Sequence, residues 1–241
     1  MKKTLMTFGV LLASATVVSA QSFQFEAARV GGEYQYYSES GFDLSSWEAS
    51  LDASATFGAD LGLQVGLGYL SEFASSDAFF PFQEITAFEL HGFYDISDHS
   101  RLGLLYAYDT YNDGDSFFAL EAVNTLGNLR GEGRFGYFSS SVEPAHLMEI
   151  KLGYGISDLI TLSGNFQRIK YHNDNGFYRL WSFGAAADLS ERAQIYVDYG
   201  WTRNDFGPGN GVYDGNLLSV GFSFAFAGDR DEMMFTYSPF F

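Results

Sequence analysis

The sequence predicts an all-β fold: a transmembrane antiparallel up-and-down β-barrel of about twelve strands, with fourteen as the alternative. Large apolar residues alternate with small or polar ones over short segments, a period of two that places each kind on one side of a strand. After the first twenty residues, no apolar run is long enough for a helical membrane span. A content of 18% aromatic residues, 27 glycines and 4 prolines also favours strands over helix or disorder.

The stretch at residues 217–226, LLSVGFSFAF, is the basis of this prediction. Its even positions are large and apolar, while small residues lie between them. A half-buried strand of a soluble protein would usually carry charges on its second face, and a central sandwich strand would be apolar on both. A barrel strand meets lipid outside and a crowded lumen inside over about 9 to 11 residues. The stretch therefore indicates a membrane-spanning strand.

Eleven further segments show the same alternation, and the segment at residues 47–57 has an aromatic residue at each end, as girdles at two membrane interfaces require. The twelve predicted strands lie at residues 28–36, 47–57, 61–69, 88–94, 102–108, 118–122, 130–137, 148–154, 160–167, 181–189, 195–201 and 217–226. The residues predicted to face lipid include Ala28, Leu51, Val65, Ile150, Val197 and Phe222.

The connections between these segments alternate in length. The short ones lie at residues 58–60, 95–100, 126–128, 157–158 and 190–192, and the longest predicted loop covers residues 204–215. Short periplasmic turns and longer extracellular loops are typical of outer-membrane barrels. This asymmetry fits if Gln21 begins in the periplasm.

The first twenty residues have the features of an export signal: Lys2 and Lys3, an apolar run over residues 5–18, and the small residues Val-Ser-Ala at the cleavage point. The predicted domains are a cleaved signal peptide at residues 1–20 and a single barrel domain at residues 21–241.

Loss of the two lysines changes the net charge from −17 to −19. This charge argues against nucleic acid as a partner and for repulsion of anionic solutes. Because the chain has no cysteine, a closed hydrogen-bond ladder must supply its stability instead of disulfides.

The end of the chain does not fit twelve strands directly. The ending MMFTYSPFF alternates large residues, but Pro239 cannot donate a ladder hydrogen bond. The alternating residues are Met233, Phe235, Tyr237 and Phe241. Either two strands have been missed, or the barrel closes at Phe226 and the tail folds back. We favour the second interpretation because a thirteenth strand would break the even strand number.

Twelve charged residues fall on the predicted inner face, and eight of them are acidic. They are Arg29, Glu33, Glu48, Asp52, Glu89, Glu121, Arg130, Glu132, Arg134, Glu149, Lys151 and Asp198. All except Arg29 and Glu33 are the candidate lumen and selectivity residues. Bases on the seventh and eighth segments, facing acids on the second, fourth and sixth, would set a field across a constriction. Alternatively, the charges pair as a plug that fills and stabilises a narrow lumen. If the lumen is open, its excess of acids predicts a preference for cations.

The sequence offers little for catalysis or metal binding. It lacks Gly-x-Ser-x-Gly, His-Glu-x-x-His and a cysteine nucleophile. His172 is a weak candidate for a general base whose imidazole ring Asp174 would orient. Asp109, Asp113 and Asp115 resemble a calcium loop without its later Glu, a weak site that could bridge lipopolysaccharide phosphates. We therefore predict no enzyme activity, cofactor or metal site.

The Lys-Lys leader, the twelve alternating segments, the acidic loops and the aromatic terminus at Phe241 make this chain resemble the porin-like outer-membrane barrels of Gram-negative bacteria. The resemblance implies location in the outer membrane and passive diffusion of small polar solutes or ions. General porins are larger, with about 16 to 18 strands around an open channel. A closed structural or adhesive surface barrel and, with less support, an outer-membrane hydrolase therefore stay as alternatives. The expected partners are outer-membrane lipid and lipopolysaccharide together with small polar solutes or cations, and association into a homo-oligomer is left open.

Overall fold

The computed structural model describes residues 23–39, 42–58, 60–74, 83–110, 114–139, 144–172, 176–207, 211–227 and 234–236. The predicted signal peptide lies outside these residues. The strands are β1 (Phe23–Glu39), β2 (Phe42–Phe57), β3 (Leu61–Ala74), β4 (Gln83–Ser97), β5 (Ser100–Asp109), β6 (Ser116–Leu126), β7 (Leu129–Ser139), β8 (Ala145–Gly155), β9 (Ile160–Tyr171), β10 (Phe177–Asp188), β11 (Ala193–Asp205) and β12 (Val212–Ala227). No helix in the described part of the chain is long and apolar enough to cross a membrane.

The sheet closes on itself. Each strand pairs with its neighbours in sequence, and β1 pairs antiparallel with β12 from Ala28 opposite Ala227 to Glu39 opposite Gly215. Closure removes the edge strands whose unpaired backbone groups a bilayer does not tolerate. The predicted all-β up-and-down barrel is confirmed, with twelve strands in the described residues rather than fourteen.

The two ends of the barrel differ. The connections that follow β2, β4, β6, β8 and β10 span two to four residues, and they define what we call the short-turn end. The five connections that follow β3, β5, β7, β9 and β11 span five to eight residues, and they define what we call the long-loop end. The connection between β1 and β2 lies at the same end but spans only two residues. β1 begins and β12 ends at the short-turn end, as expected when both termini share one side of the membrane.

The outer face is an apolar band with aromatic residues at both margins. Leu51, Val65, Ile150, Val197 and Phe222 all lie on this face and are 41–51% exposed. The rings of Phe23 and Phe57 meet at 5.4 Å near the short-turn end, and those of Tyr34 and Trp47 meet at 4.9 Å towards the other end. Trp47 and Phe57 lie on one tilted strand, and ten steps of strand span roughly 25 Å across the bilayer, the height of such a band.

Two sequence predictions differ from the structure at the strand ends. Half of the predicted loop at residues 204–215 is strand, because β11 and β12 stay paired through Arg203 opposite Asp214 and Asp205 opposite Val212. Polar residues outside the bilayer can continue a ladder, so apolar alternation alone marks only the part of a strand that lies in lipid. The connection that remains, residues 206–211, is shorter than the connection at residues 75–82, so the loop predicted to be the longest is not the longest.

The second difference is Ala28, which the alternation places towards lipid but which is buried. The pairing of β1 shifts register between Phe25 and Ala27 on one side and between Ala28 and Arg29 on the other. Such β-bulges add a residue to one strand and reverse the faces on either side. Phe25 and Val30 therefore belong to one outer face although their spacing is odd.

Candidate functional site: the barrel lumen

The lumen is divided lengthwise into a filled half and an open half. Side chains from β3 to β9 fill the first half in three layers. A cavity occupies the space beside β1, β2 and β8–β12 and extends to residues of β3 and β7 at its margins. Because side chains of a strand alternate between the two faces, both halves are made by residues of the inner face.

The layer at the long-loop end of the filled half is apolar. Phe117 and Phe138, opposite each other on β6 and β7, stack with ring centroids 4.4 Å apart. Around them pack the buried residues Leu105, Ala107, Ala119, Ala145, Leu147 and Ile169. These inward apolar side chains exclude water from that side of the lumen.

The middle layer is a charge network of Glu89, His91, Glu121, Arg134 and Glu149. The Arg134 guanidinium donates to Glu121 Oε1 at 2.6 Å and to Glu149 Oε2 at 3.4 Å. His91 lies between two carboxylates, with Nδ1 2.6 Å from Glu121 Oε2 and Nε2 3.2 Å from Glu89 Oε2. All five side chains are at most 5% exposed, so each charge depends on its partners for stabilisation.

The layer at the short-turn end contains part of the C-terminal tail. Phe235 is fully buried and packs with Phe93 and Val123 inside the barrel. Residues 234–236 thus lie in the lumen and are not a strand of the wall. The favoured interpretation of the tail is confirmed for these residues. Met233, Tyr237, Pro239 and Phe241 lie outside the described residues.

The open half is a cavity of about 790 Å³. Its lining follows β11 from Gln194 to Asn204, which is most of the length of that strand from one end of the barrel to the other. Among the described residues, seven carboxylates and three bases line it: Glu33, Glu48, Asp52, Glu72, Glu132, Glu149, Asp198, Arg29, Arg130 and Lys151.

Among the described residues, every base of the cavity is paired with an acid, but several acids of the cavity have no base beside them. Arg29 lies 3.3 Å from Asp52, Lys151 lies 3.4 Å from Glu149, and Arg130 lies 4.0 Å from Glu132. In the part of the chain that the structure describes, no base lies within salt-bridge distance of the four other carboxylates, Glu33, Glu48, Glu72 and Asp198. The cavity therefore keeps an excess of acidic groups after pairing.

Two of these acids are direct cross-strand neighbours. Glu33 on β1 lies opposite Glu48 on β2, and like charges in this position destabilise a sheet. Glu33 accepts hydrogen bonds from Tyr196 Oη at 2.6 Å and from Gln35 Nε2 at 2.7 Å, while Ser163 Oγ donates to Asp198 at 2.9 Å. Neutral donors thus hold two of the carboxylates in place, and neither of them is paired with a base among the described residues.

The structure places all ten predicted lumen residues on the inner face but separates them into two groups. Glu89, Glu121 and Arg134 belong to the buried network. Glu48, Asp52, Arg130, Glu132, Glu149, Lys151 and Asp198 line the cavity, with Glu132 and Glu149 also within 4.0 Å of Arg134. Their role in selectivity stays a prediction.

Sequence reasoning missed several inward residues. Arg101, buried on β5, pairs with Asp95 at 2.6 Å and Glu26 at 3.4 Å, and its guanidinium lies 3.5 Å from the centre of the Phe93 ring. Its position one residue before Leu102 already indicated the inner face. Gln64 and the inward apolar residues carry no charge, so a search for charged lumen residues could not find them.

The weaker candidate sites do not assemble in the described residues. His172 stands beside the outward-facing His146 and Tyr137, with ring centroids 4.7 and 6.0 Å away, and Asp174 lies outside the described part. Asp109, the last residue of β5, is buried and accepts a hydrogen bond from the backbone N–H of Asp115, so its side chain stabilises the connection to β6. Asp113 lies outside the described residues. No group of three or more His, Asp or Glu side chains suited to a metal ion occurs among the described residues.

Solved structures share this fold. The chain is similar to the NanC porin (TM-score 0.60, 13% identity, 81% of this chain and 98% of that chain), to an outer membrane channel from Pseudomonas putida F1 (0.60, 14%, 87% and 100%) and to the KdgM porin (0.54, 11%, 82% and 99%). Neither a protein-family model nor a curated protein sequence matches. The chain therefore has the fold of bacterial outer-membrane porins and channels, as its resemblance to porin-like outer-membrane barrels predicts.

Proposed function

We propose that this barrel is a porin-like outer-membrane channel that passes small polar solutes or ions through the cavity by passive diffusion and prefers cations. The observation that carries the proposal is the cavity itself, which follows β11 for most of its length and is lined by seven carboxylates against three bases among the described residues. An excess of acids in a narrow channel with low-dielectric walls concentrates cations and repels anions.

The Glu33–Glu48 pair supports this proposal. Two acids directly opposite each other cost stability in a sheet. A sequence keeps such a pair more readily where water and passing cations screen it than where it is sealed. Glu48 and Asp198, the two acids of the ten that have no base within salt-bridge distance among the described residues, are therefore the strongest selectivity candidates.

The test is a reversal potential across a planar bilayer under a KCl gradient. We expect the reversal potential of a cation-selective pore, and a shift towards zero when Glu48→Gln and Asp52→Asn are combined. The effect should be largest at low salt, where charges are least screened. Glu191→Gln, in an exposed turn outside the cavity, is the matched control and should leave the potential unchanged. Anion selectivity of the unaltered protein would contradict the proposal.

A closed structural or adhesive barrel is the second candidate, because one half of the lumen is filled by the three layers. It predicts no conductance under any salt condition. The hydrolase alternative has less support, since His172 lies among outward-facing aromatic residues. Cleavage after Ala20, contact with lipopolysaccharide and homo-oligomer formation are further expectations of a porin-like protein and need separate tests.

A further inference from the structure

We propose that Gln64, His91, Glu132 and Arg134 form a peptide-binding site inside the lumen, and that the chain's own C-terminal segment occupies it as a plug that narrows the channel. This inference rests on the proposed channel function. Residues 234–236 define the part of the plug that the structure describes.

The site binds the segment mainly through its backbone. Gln64 Nε2 donates to the carbonyl oxygen of Phe235 at 2.9 Å, while the N–H of Phe235 donates to Gln64 Oε1 at 2.9 Å. A side-chain amide that pairs with both backbone groups of one residue replaces the two bonds that a neighbouring strand would make. An extended peptide is the chemical class that this geometry fits.

The opposite side of the segment is held by β7. Arg130 donates to the carbonyl oxygen of Met234 at 2.5 Å, and Arg134 donates to that of Thr236 at 3.0 Å. Glu132 accepts both the N–H of Thr236 at 3.0 Å and its hydroxyl at 2.7 Å. These bonds to charged groups are the stronger kind, so three residues of tail are fixed in one position.

A side-chain pocket adds specificity for an aromatic residue. The ring of Phe235 stacks on His91 with centroids 5.4 Å apart and planes 6° from parallel. A Cβ atom at Gly103 would lie 2.6 Å from the ring, so glycine at this position on β5 makes the space that the ring fills. The glycine at position 103 of the wall and the phenylalanine at position 235 of the tail are therefore complementary in shape.

The plug also borders the channel path. Thr236 lines the cavity, and so do Arg130 and Glu132, which hold the segment. Departure of the segment would add its volume to the cavity and expose these charges to passing solutes. The contacts between the wall and the described residues 234–236 are noncovalent, and the wall closes through β1 and β12 without this segment.

The experiment locks and releases the plug in the full chain, which has no cysteine of its own. The double variant Thr236→Cys with Glu132→Cys replaces two side chains whose oxygen atoms meet at 2.7 Å. Because a cysteine sulfur ends two atoms short of the Glu132 carboxylate oxygens, the two thiols are joined either by oxidation or by a short bis-methanethiosulfonate reagent, and a thiol reductant reverses both. Ser163→Cys with Asp198→Cys is the matched control, because it joins two groups 2.9 Å apart in the wall without touching the tail. Conductance is recorded in a planar bilayer after oxidation and again after addition of a thiol reductant.

We expect the first variant to conduct weakly when oxidised and roughly twofold or more strongly when reduced, since conductance follows the free width of the lumen. The control should not respond to reductant. In a second comparison, Gln64→Ala should raise conductance more than Gln167→Ala, which removes the same volume from the wall on β9.

Three results would overturn the inference. If the two cysteines are not cross-linked, seen in the mass spectrum as two separately modified thiols after labelling, the segment is not bound at this site. If a disulfide forms but oxidised and reduced channels conduct equally, the segment is no plug although the channel function stands. If neither state conducts, the proposed channel function fails together with the plug.

Discussion

At the scale of single residues, the position of a side chain on a strand decides whether a charge is tolerated. Val197 faces outward from β11 and Asp198 lines the cavity, although they are neighbours in the sequence. An arginine in lipid loses its hydration, whereas one in a polar lumen keeps water and meets carboxylates.

We therefore expect Val197→Arg to lower the free energy of unfolding by about 2–4 kcal/mol, the cost of arginine on the lipid face near the midplane. Asp198→Arg should cost much less. Both values come from urea unfolding of the refolded protein in lipid vesicles. Equal costs, or the reverse order, would show that the two faces are assigned wrongly.

Most residue orientations follow from the sequence because a strand alternates strictly between its faces. Glu33, Glu48 and Asp198 were placed inside by this rule alone, and the structure has them there. Ala28 was not, because a β-bulge adds one residue to the count and leaves no clear mark in the sequence. The rule predicts which face a side chain takes, but not which partner it meets across the lumen.

At the scale of elements, the network between β4, β6, β7 and β8 links strands through buried charge. Arg134 lies within 4 Å of Glu121, Glu132 and Glu149 and has a side chain only 2% exposed. Breaking a buried ion pair leaves charge without compensation and costs far more than the loss of an exposed pair.

Replacing Arg134 by Met keeps its bulk but leaves these carboxylates without their shared partner. We expect a loss of about 3–5 kcal/mol in the free energy of unfolding. Arg203→Met is the control, since its bond to Asp214 is 3.8 Å long and both side chains are exposed, and its cost should be below about 1 kcal/mol. Similar losses for the two variants would argue against a stabilising role for the network.

The strands were predictable as elements, whereas the contents of the lumen were not. Apolar alternation marks the part of each strand in lipid, which is why β11 and β12 were found but their polar ends were assigned to a loop. The filling of one half depends on residues far apart in sequence, such as Gln64 and Phe235, which are 171 residues apart. No local pattern reports such a contact.

At the scale of the whole molecule, closure of the barrel and its apolar outer band predict behaviour that a soluble β-sandwich would not show. The closed ladder between β1 and β12 should resist detergent until it is heated. We expect the protein in the outer-membrane fraction, with cleavage after Ala20 and a faster gel mobility before heating than after. Recovery as a soluble periplasmic monomer would contradict the membrane assignment.

The central claim has two parts: ions cross the barrel only through its open half, and the excess of acids in that half favours cations. Modification of introduced cysteines during conductance recording tests both parts of that claim in one measurement. Ser50→Cys places a thiol in the cavity, while Ala119→Cys places one in the apolar layer of the filled half. The unaltered chain, which has no cysteine, is the negative control.

We expect a cationic methanethiosulfonate reagent to react with the Ser50→Cys channel faster than an anionic one of similar size, because the excess of carboxylates attracts the first and repels the second. Each reaction should change the current, and the Ala119→Cys channel should respond to neither reagent. Equal or reversed rates in the cavity, or a change of current from the Ala119→Cys variant, would contradict the account.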